Sequence, residues 1–220
     1  MNSLHQNDVK FSRSLSWILR HGAPSLGLNL TPDAYLKLDD VLRLCNLKCS
    51  QSYTTEDVIR IVQNNNKQRF RLKETDGVFW IRANQGHSIK DIQADLLLRP
   101  LTTEEMSDPF LLIIHGTTKN AWENIKNEGL SRRERNHIHF ATGLPRNLME
   151  NSGTSPISGM RSSSEILIYV NGLKCAKDGI KFYQSDNGVI LTAGIDGILP
   201  IKYFAKVVHA PNGMILCESE

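Results

Sequence analysis

Arg20 and His21 stand side by side where an apolar segment, SWILRHG, loses its helical periodicity at Gly22. Cations in a last turn satisfy orphan carbonyls and complement the helix dipole. An Arg–His pair in that position can equally form one wall of an anion site. The segment KQRFRLK adds Lys67, Arg69, Arg71 and Lys73 at alternate positions, and on a strand these share one face opposite Phe70 and Leu72. Four cations on a face repel one another unless solvent or an anion lies there. Guanidinium forks are well shaped for phosphate.

The second half of the chain carries a different set. IIHGTT puts His115, Gly116 and Thr117 at the end of an apolar strand, entering a helix. A histidine, a position where backbone can approach closely and a hydroxyl could grip a polar ligand; a plain capping turn reads the same way. RNHIHFA places His137 and His139 two apart, on one strand face. The spacing invites zinc, but no third ligand of matching type stands nearby, and two hydrogen-bonding imidazoles lining a cleft fit better. GMRSSSEILIYV sets Arg161 just ahead of an apolar strand, a surface residue unless it turns back toward the other cations.

The elements that must position these groups are legible in outline. Phe11, Leu15, Ile18 and Leu19 share a helix face, with Asp8 or Ser12 as its cap and Gly22 as its end. AYLKL is a short extended piece, and a second helix starts near Asp39 and Asp40. A third begins at Thr54, with Asp57 at capping-box spacing, and NNN stops it. Alternating runs on both sides of Thr75-Asp76-Gly77 predict a hairpin. LLLRPLTTEEMSDP (96–109) is polar and bounded by proline, and residues 99–109 are expected to be a linker. Beyond it the texture is mostly β, with one amphipathic helix, NAWENIKNEG.

Composition bounds the rest. With 220 residues, 40% hydrophobic and 22% charged, the chain has room for one large domain or two smaller ones. Net charge is +3, but residues 1–100 carry 14 Lys and Arg against 10 Asp and Glu, and residues 101–220 carry 12 against 13. The N-terminal half is the better partner for phosphates. No apolar run has the length of a membrane span and the N-terminus lacks a signal-peptide core, so an intracellular site, cytoplasm or nucleus, is expected. Cys45, Cys49, Cys175 and Cys217 build no metal tetrad and read as buried reduced thiols.

Taken together, LSWILRHGAPSLGL, DDVL, NKQRF, IRANQGHSI, HGTT, RNHIHFA, SGMRSSSEILIYV and NGVILTAG resemble, in order, the RNA 2′-phosphotransferase family, most closely its eukaryotic members. The resemblance implies an α+β protein of two lobes: a winged helix over 1–98, with three helices and a β-hairpin, and an ADP-ribosyltransferase-like, mostly β lobe over 110–220. It implies an enzyme that transfers the splice-junction 2′-phosphate of RNA to NAD⁺ through a 2′-phospho-ADP-ribosylated RNA. The products are 2′-OH RNA, nicotinamide and ADP-ribose 1″,2″-cyclic phosphate. By motif, Arg20, His21, Lys67, Arg69 and Arg161 fall in the catalytic centre. His115, Gly116, Thr117 and His139 fall in the NAD⁺ pocket, to which Ser185, Asn187 and Val189 are also assigned. A monomer needing no metal, with spliced tRNA and NAD⁺ as partners and no membrane, completes the expectation. Two rivals are an ADP-ribosyltransferase acting on another acceptor, such as a nucleic-acid terminal phosphate, and a non-catalytic winged-helix RNA binder. NGVILTAG offers Val189 where many such transferases carry an acid, which favours a phosphate acceptor.

Overall fold

The computed structural model describes residues 2–48, 52–144, 158–161 and 163–218. The chain divides into two compact units, Met1–Leu97 and Leu98–Glu220. Helices and antiparallel sheets are mixed throughout, an α+β architecture.

The first unit opens with α1 (Asn2–Trp17). It starts earlier than its capping residues suggested: Asp8 lies inside the helix, and its carboxylate accepts from Arg60 at 2.7 Å instead of capping. After Trp17 the ladder widens into a π-type turn over Ile18–Gly22, with Ile18, Leu19 and Gly22 buried and Arg20 and His21 in the last turn. Then come β1 (Leu36–Lys37), α2 (Leu38–Lys48), α3 (Thr55–Gln63), β2 (Phe70–Thr75), β3 (Val78–Ala83) and the short α4 (Ala94–Leu97). Thr54 and Asp57 close a reciprocal capping box on α3. The β2–β3 hairpin turns on Asp76 and Gly77, at φ 52° and 73°, the mirror-image turn whose twist matches that of the strands. The three strands lie in the order β1-β3-β2. Phe11, Leu15, Ile18 and Leu19 pack with Val41, Val58 and Ile81 into one core, where Phe11 stacks on Tyr53 at 3.8 Å.

In the second unit, β4 (Arg99–Pro100) and α5 (Thr103–Ser107) occupy the segment expected to be a linker. The reason is local: Thr102 and Glu105 form a capping box, and Arg99 is held by Glu105 at 2.8 Å and by Gln184 at 2.8 Å. β5 is confined to Ile114–Thr117, because Asp108 folds residues 108–111 into a turn that leaves Phe110 exposed. There follow α6 (Lys119–Glu128), β6 (Leu130–Ser131), β7 (Ile138–Phe140), β8 (Ile166–Val170), α7 (Gly172–Lys177), β9 (Tyr183–Gln184), β10 (Ile190–Thr192), β11 (Ile198–Leu199), β12 (Phe204–His209) and β13 (Met214–Glu218). Two four-stranded sheets result, β4-β9-β10-β7 and β13-β12-β8-β5, with β11 pairing β6. Between β5 and β7 a single bridge, Ile114 to Ala141, joins the two four-stranded sheets. The core runs from Ile125 and Leu130 through Phe140 and Ile168 to Tyr203 and Val207. No helix among the described residues is long and apolar enough to cross a membrane.

Candidate functional site

In the first unit Arg20, His21, Asn65 and Arg69 line one groove, and three stretches of chain place them. The turn Ile18–Gly22 presents Arg20 and His21. The loop after β3 comes up beside them: Ser88 N donates to Arg20 O at 3.0 Å, Ser88 Oγ lies 2.8 Å from His21 Nδ1, and a Cβ on Gly86 would stand 3.3 Å from Arg20 Nε. The third stretch is residues 65–69. The four-cation strand face does not form there, because Gln68 takes a positive φ of 43° and the strand begins only at Phe70. Alternation is broken at that point, and the cations part. Lys67 and Arg69 are half-buried, whereas Arg71 and Lys73 are exposed, with Lys73 lying 3.5 Å from Asp33 and over the Tyr35 ring.

Asn65 and Asn84 fix that turn. Asn65 Oδ1 accepts from Arg69 Nη1 at 3.1 Å and from Lys67 N at 3.1 Å. Asn84 Nδ2 donates to Gln68 O at 2.7 Å, and Asn84 N to Arg69 O at 2.9 Å. Burial lowers the Lys67 pKa, with the neighbouring Arg69 charge adding to the effect, and burial also lowers that of Arg69. Both effects disfavour the charged forms in the protein alone, and a bound anion relieves both. Arg20, His21, Asn65 and Arg69 line one groove of about 830 Å³, together with residues of α1 and α3.

In the second unit, the bridge between β5 and β7 brings two of the expected histidines together. His115 Nδ1 lies 2.9 Å from the His139 carbonyl. A carbonyl only accepts, so Nδ1 carries the proton, and Nε2 is an acceptor in the neutral ring. Burial lowers the His115 pKa and keeps that ring neutral. His139 is buried on β7, opposite Leu191 of β10. His137 lies just outside β7 against Tyr183, and burial plus the Arg132 charge hold its pKa at about 4. No group of three or more metal-ligating side chains occurs among the described residues.

Gly116 is a point of close approach, but what approaches is protein. A Cβ there would lie 2.5 Å from both Met160 Cγ and Ser164 Oγ. Met160 and Ser164 therefore pack on the HGT strand, and Ser164 Oγ donates to Arg161 O at 2.9 Å. Thr117 O accepts from Glu165 N at 2.8 Å, while the capping of α6 belongs to Thr118, one residue further on. Ser185, Asn187 and Val189 form a turn of their own: Ser185 Oγ lies 2.8 Å from Asn187 Oδ1 and accepts from Val189 N at 3.2 Å, with Val189 fully buried.

Four further residues were not singled out from sequence. Asn65, Asn84 and Ser88 hold cations from behind; Asn84 and Ser88 lie within IRANQGHSI, and Asn65 directly precedes NKQRF. Arg135 is the first residue of RNHIHFA, and its pKa is lowered by burial and then by the Arg161 charge. A buried guanidinium that also feels a second positive charge is relieved by a bound anion. Of the cysteines, Cys45 and Cys175 are buried, and burial pushes the Cys175 thiol up to about 12. Cys217 is exposed, contrary to expectation, because β13 has solvent on both faces; Cys49 lies outside the described residues.

Comparison with known proteins bears on what these clusters serve. The model of the RNA 2′-phosphotransferase, Tpt1/KptA family matches residues 6–194. The chain is 44% identical over 205 residues to the tRNA 2′-phosphotransferase 1 of Bos taurus, covering 92% of this chain and 76% of that protein. It is 40% identical over 216 residues to a putative tRNA 2′-phosphotransferase of Schizosaccharomyces pombe, covering 98% of this chain and 55% of the relative, so it spans little more than half that protein's length. A probable RNA 2′-phosphotransferase of Rhizobium leguminosarum bv. trifolii is 30% identical over 205 residues, 93% of this chain and 97% of the other. The matched span takes in both clusters of cations and both histidine strands, and the chain belongs to the RNA 2′-phosphotransferase, Tpt1/KptA family.

Proposed function

We propose that this chain removes the splice-junction 2′-phosphate of tRNA by transferring it to NAD⁺. The first unit acts as a winged-helix lobe that holds the RNA phosphate, the second as an ADP-ribosyltransferase-like lobe that holds NAD⁺. The observation that carries the reading is the pairing of Lys67 with Arg69: two half-buried cations, held by Asn65 and lowered in pKa by burial, in a chain of this family. The helices followed by an antiparallel hairpin support the winged helix, and the seam between β5 and β7 supports a ligand site lined by His115.

The chemistry follows from the groups. A 2′-phosphate oxygen bonds to C1″ of the nicotinamide ribose, and the C1″–N bond breaks, releasing nicotinamide. The ribose 2″-hydroxyl then attacks phosphorus, the P–O2′ bond breaks, and the RNA oxygen takes up a proton. Little covalent work falls to the protein. Positioning and cationic stabilisation supply most of such catalysis. Arg20, Lys67, Arg69 and Arg161 stabilise the phosphoryl oxygens. His21, oriented by Ser88, moves the proton of the second step. His115 Nε2, as acceptor, orients a ribose hydroxyl, and Arg135 offers charge to the pyrophosphate.

The test is incubation with an RNA oligonucleotide carrying one internal 2′-phosphate. Phosphate loss that needs NAD⁺, yields one nicotinamide per turnover and survives EDTA is expected. Phosphate release without NAD⁺, or inhibition by EDTA, overturns the reading. ADP-ribose stably attached to RNA, with no repaired product, supports the transferase that stops after one step.

A further inference from the structure

The family's reaction concerns a phosphate; the groove that holds it is larger than a phosphate and continues along α1. Arg13, Trp17 and His21 recur at four-residue spacing, with Ser12 and Ser16 beside them, as one stripe lining the groove. At its far end Asp8 and Arg60 neutralise each other at 2.7 Å. The other arginines of the groove are Arg13, Arg20 and Arg69. Trp17 lines the same groove. Trp17 is 44% exposed, an unusual state for so large a ring. It is also fixed in place: a Cβ on Gly22 would fall 2.5–2.8 Å from three atoms of its six-membered ring, so one face of the indole covers the backbone that carries His21.

Resting on the proposed reading, we propose that this groove is the track for the RNA strand on either side of the 2′-phosphate, and that Trp17 is the platform on which a neighbouring base stacks. Single-stranded RNA is gripped by this combination, a cationic groove that follows the backbone and an aromatic face that accepts any base. α1 supplies both, through Arg13 and Trp17. The ring is rigid before the RNA arrives, so little side-chain freedom is lost on binding. Recognition is tolerant of sequence, because every base offers a π-face. It is intolerant of a missing base.

Binding is measured without NAD⁺, on the full chain, with a single-stranded RNA hexamer bearing one internal 2′-phosphate. Trp17→Ala weakens affinity roughly 5- to 150-fold, the range for one base stacked on an aromatic side chain. Trp17→Phe retains most affinity but loses the quenching of intrinsic fluorescence that RNA produces in the unaltered protein; Trp80→Phe keeps that quenching. A hexamer with abasic nucleotides flanking the 2′-phosphate binds equally to the unaltered protein and to Trp17→Ala. The proposal is overturned if Trp17→Ala, with an unchanged melting temperature, binds the ordinary hexamer as tightly as the unaltered protein, or if quenching persists in Trp17→Phe. Quenching without any NAD⁺-dependent turnover refutes the proposed reaction and leaves the platform standing. Turnover with no Trp17-dependent binding refutes the platform alone.

Discussion

The sharpest expectation concerns Arg69 and its neighbour Arg71, which alternation in the sequence treats alike and the fold separates. Arg69 is half-buried and tied to Asn65 Oδ1 at 3.1 Å, whereas Arg71 is exposed on β2, opposite Arg82 of β3. Removing a preorganised cation from a phosphoryl transition state costs about 2–4 kcal/mol, or roughly 30- to 1000-fold in rate. Arg69→Ala should lose that much in kcat/KM for NAD⁺-dependent removal of the 2′-phosphate, and Arg71→Ala less than about threefold, the scale of an exposed charge. Asn65→Ala leaves the cation and removes its support, a loss of roughly 10- to 150-fold, because a hydrogen bond to a charged group is worth about 1.5–3 kcal/mol. Since Asn65 acts chiefly through Arg69, the double variant should be no worse than Arg69→Ala within about threefold, a strongly non-additive cycle. Single-turnover kinetics on the 2′-phosphorylated oligonucleotide, with melting temperatures as the folding control, measures all four proteins. Equal losses from Arg69→Ala and Arg71→Ala, or full additivity with Asn65→Ala, would show that the turn at Gln68 does not select Arg69.

Arg161→Ala should slow the second step more than the first, because charge builds on the phosphoryl oxygens when the 2″-hydroxyl attacks; RNA carrying 2′-phospho-ADP-ribose then accumulates as a slower gel band, and its complete absence places Arg161 in binding or the first step. Gly116→Ala puts a methyl 2.5 Å from Met160 and Ser164; overpacking of that kind costs about 1–3 kcal/mol, so the melting temperature falls, and an unchanged value means the GMR segment yields freely. His137 titrates near 4 against about 6.5 in an unfolded chain. A depressed histidine costs stability as pH drops below the unfolded value, and the loss is complete near the folded one, so stability should decline between about pH 6.5 and 4 by on the order of 1–3 kcal/mol. His115 shifts in the same direction. Thermal melts of His137→Gln should show a flatter decline over that window, and an equally steep one refutes the assignment.

The helices of the first unit were legible because their signals are local: one apolar face on α1, a capping box on α3, an Asp-Gly turn between β2 and β3. The catalytic candidates were legible only through motif likeness. Periodicity placed Lys67 and Arg69 on the face of Arg71 and Lys73, and was misled by Gln68, whose left-handed φ no pattern of residue types announces. Asp8 was misread as a cap for a related reason, since its partner Arg60 is 52 residues away. The expected linker had its own capping box in plain view at Thr102 and Glu105, outweighed by proline and polarity. Asn65, Asn84 and Ser88 act through backbone and side-chain bonds that fold-distant neighbours create, which is why their types alone said nothing.

β13 lies at the edge of its sheet with all five residues exposed, Met214, Ile215 and Leu216 among them. A straight apolar edge is a template on which a second chain can add a strand. Here the register with β12 slips between Val207 and Val208: Cys217 faces Val207, Ile215 faces Val208, and Leu216 has no partner. The extra residue kinks and twists the strand, and an incoming chain cannot follow it in register. A bulge of this kind is one of the devices by which sheet edges resist such pairing. Deleting that one residue should straighten the edge, and turbidity that rises with concentration, absent from the unaltered protein under the same conditions, is the expected readout.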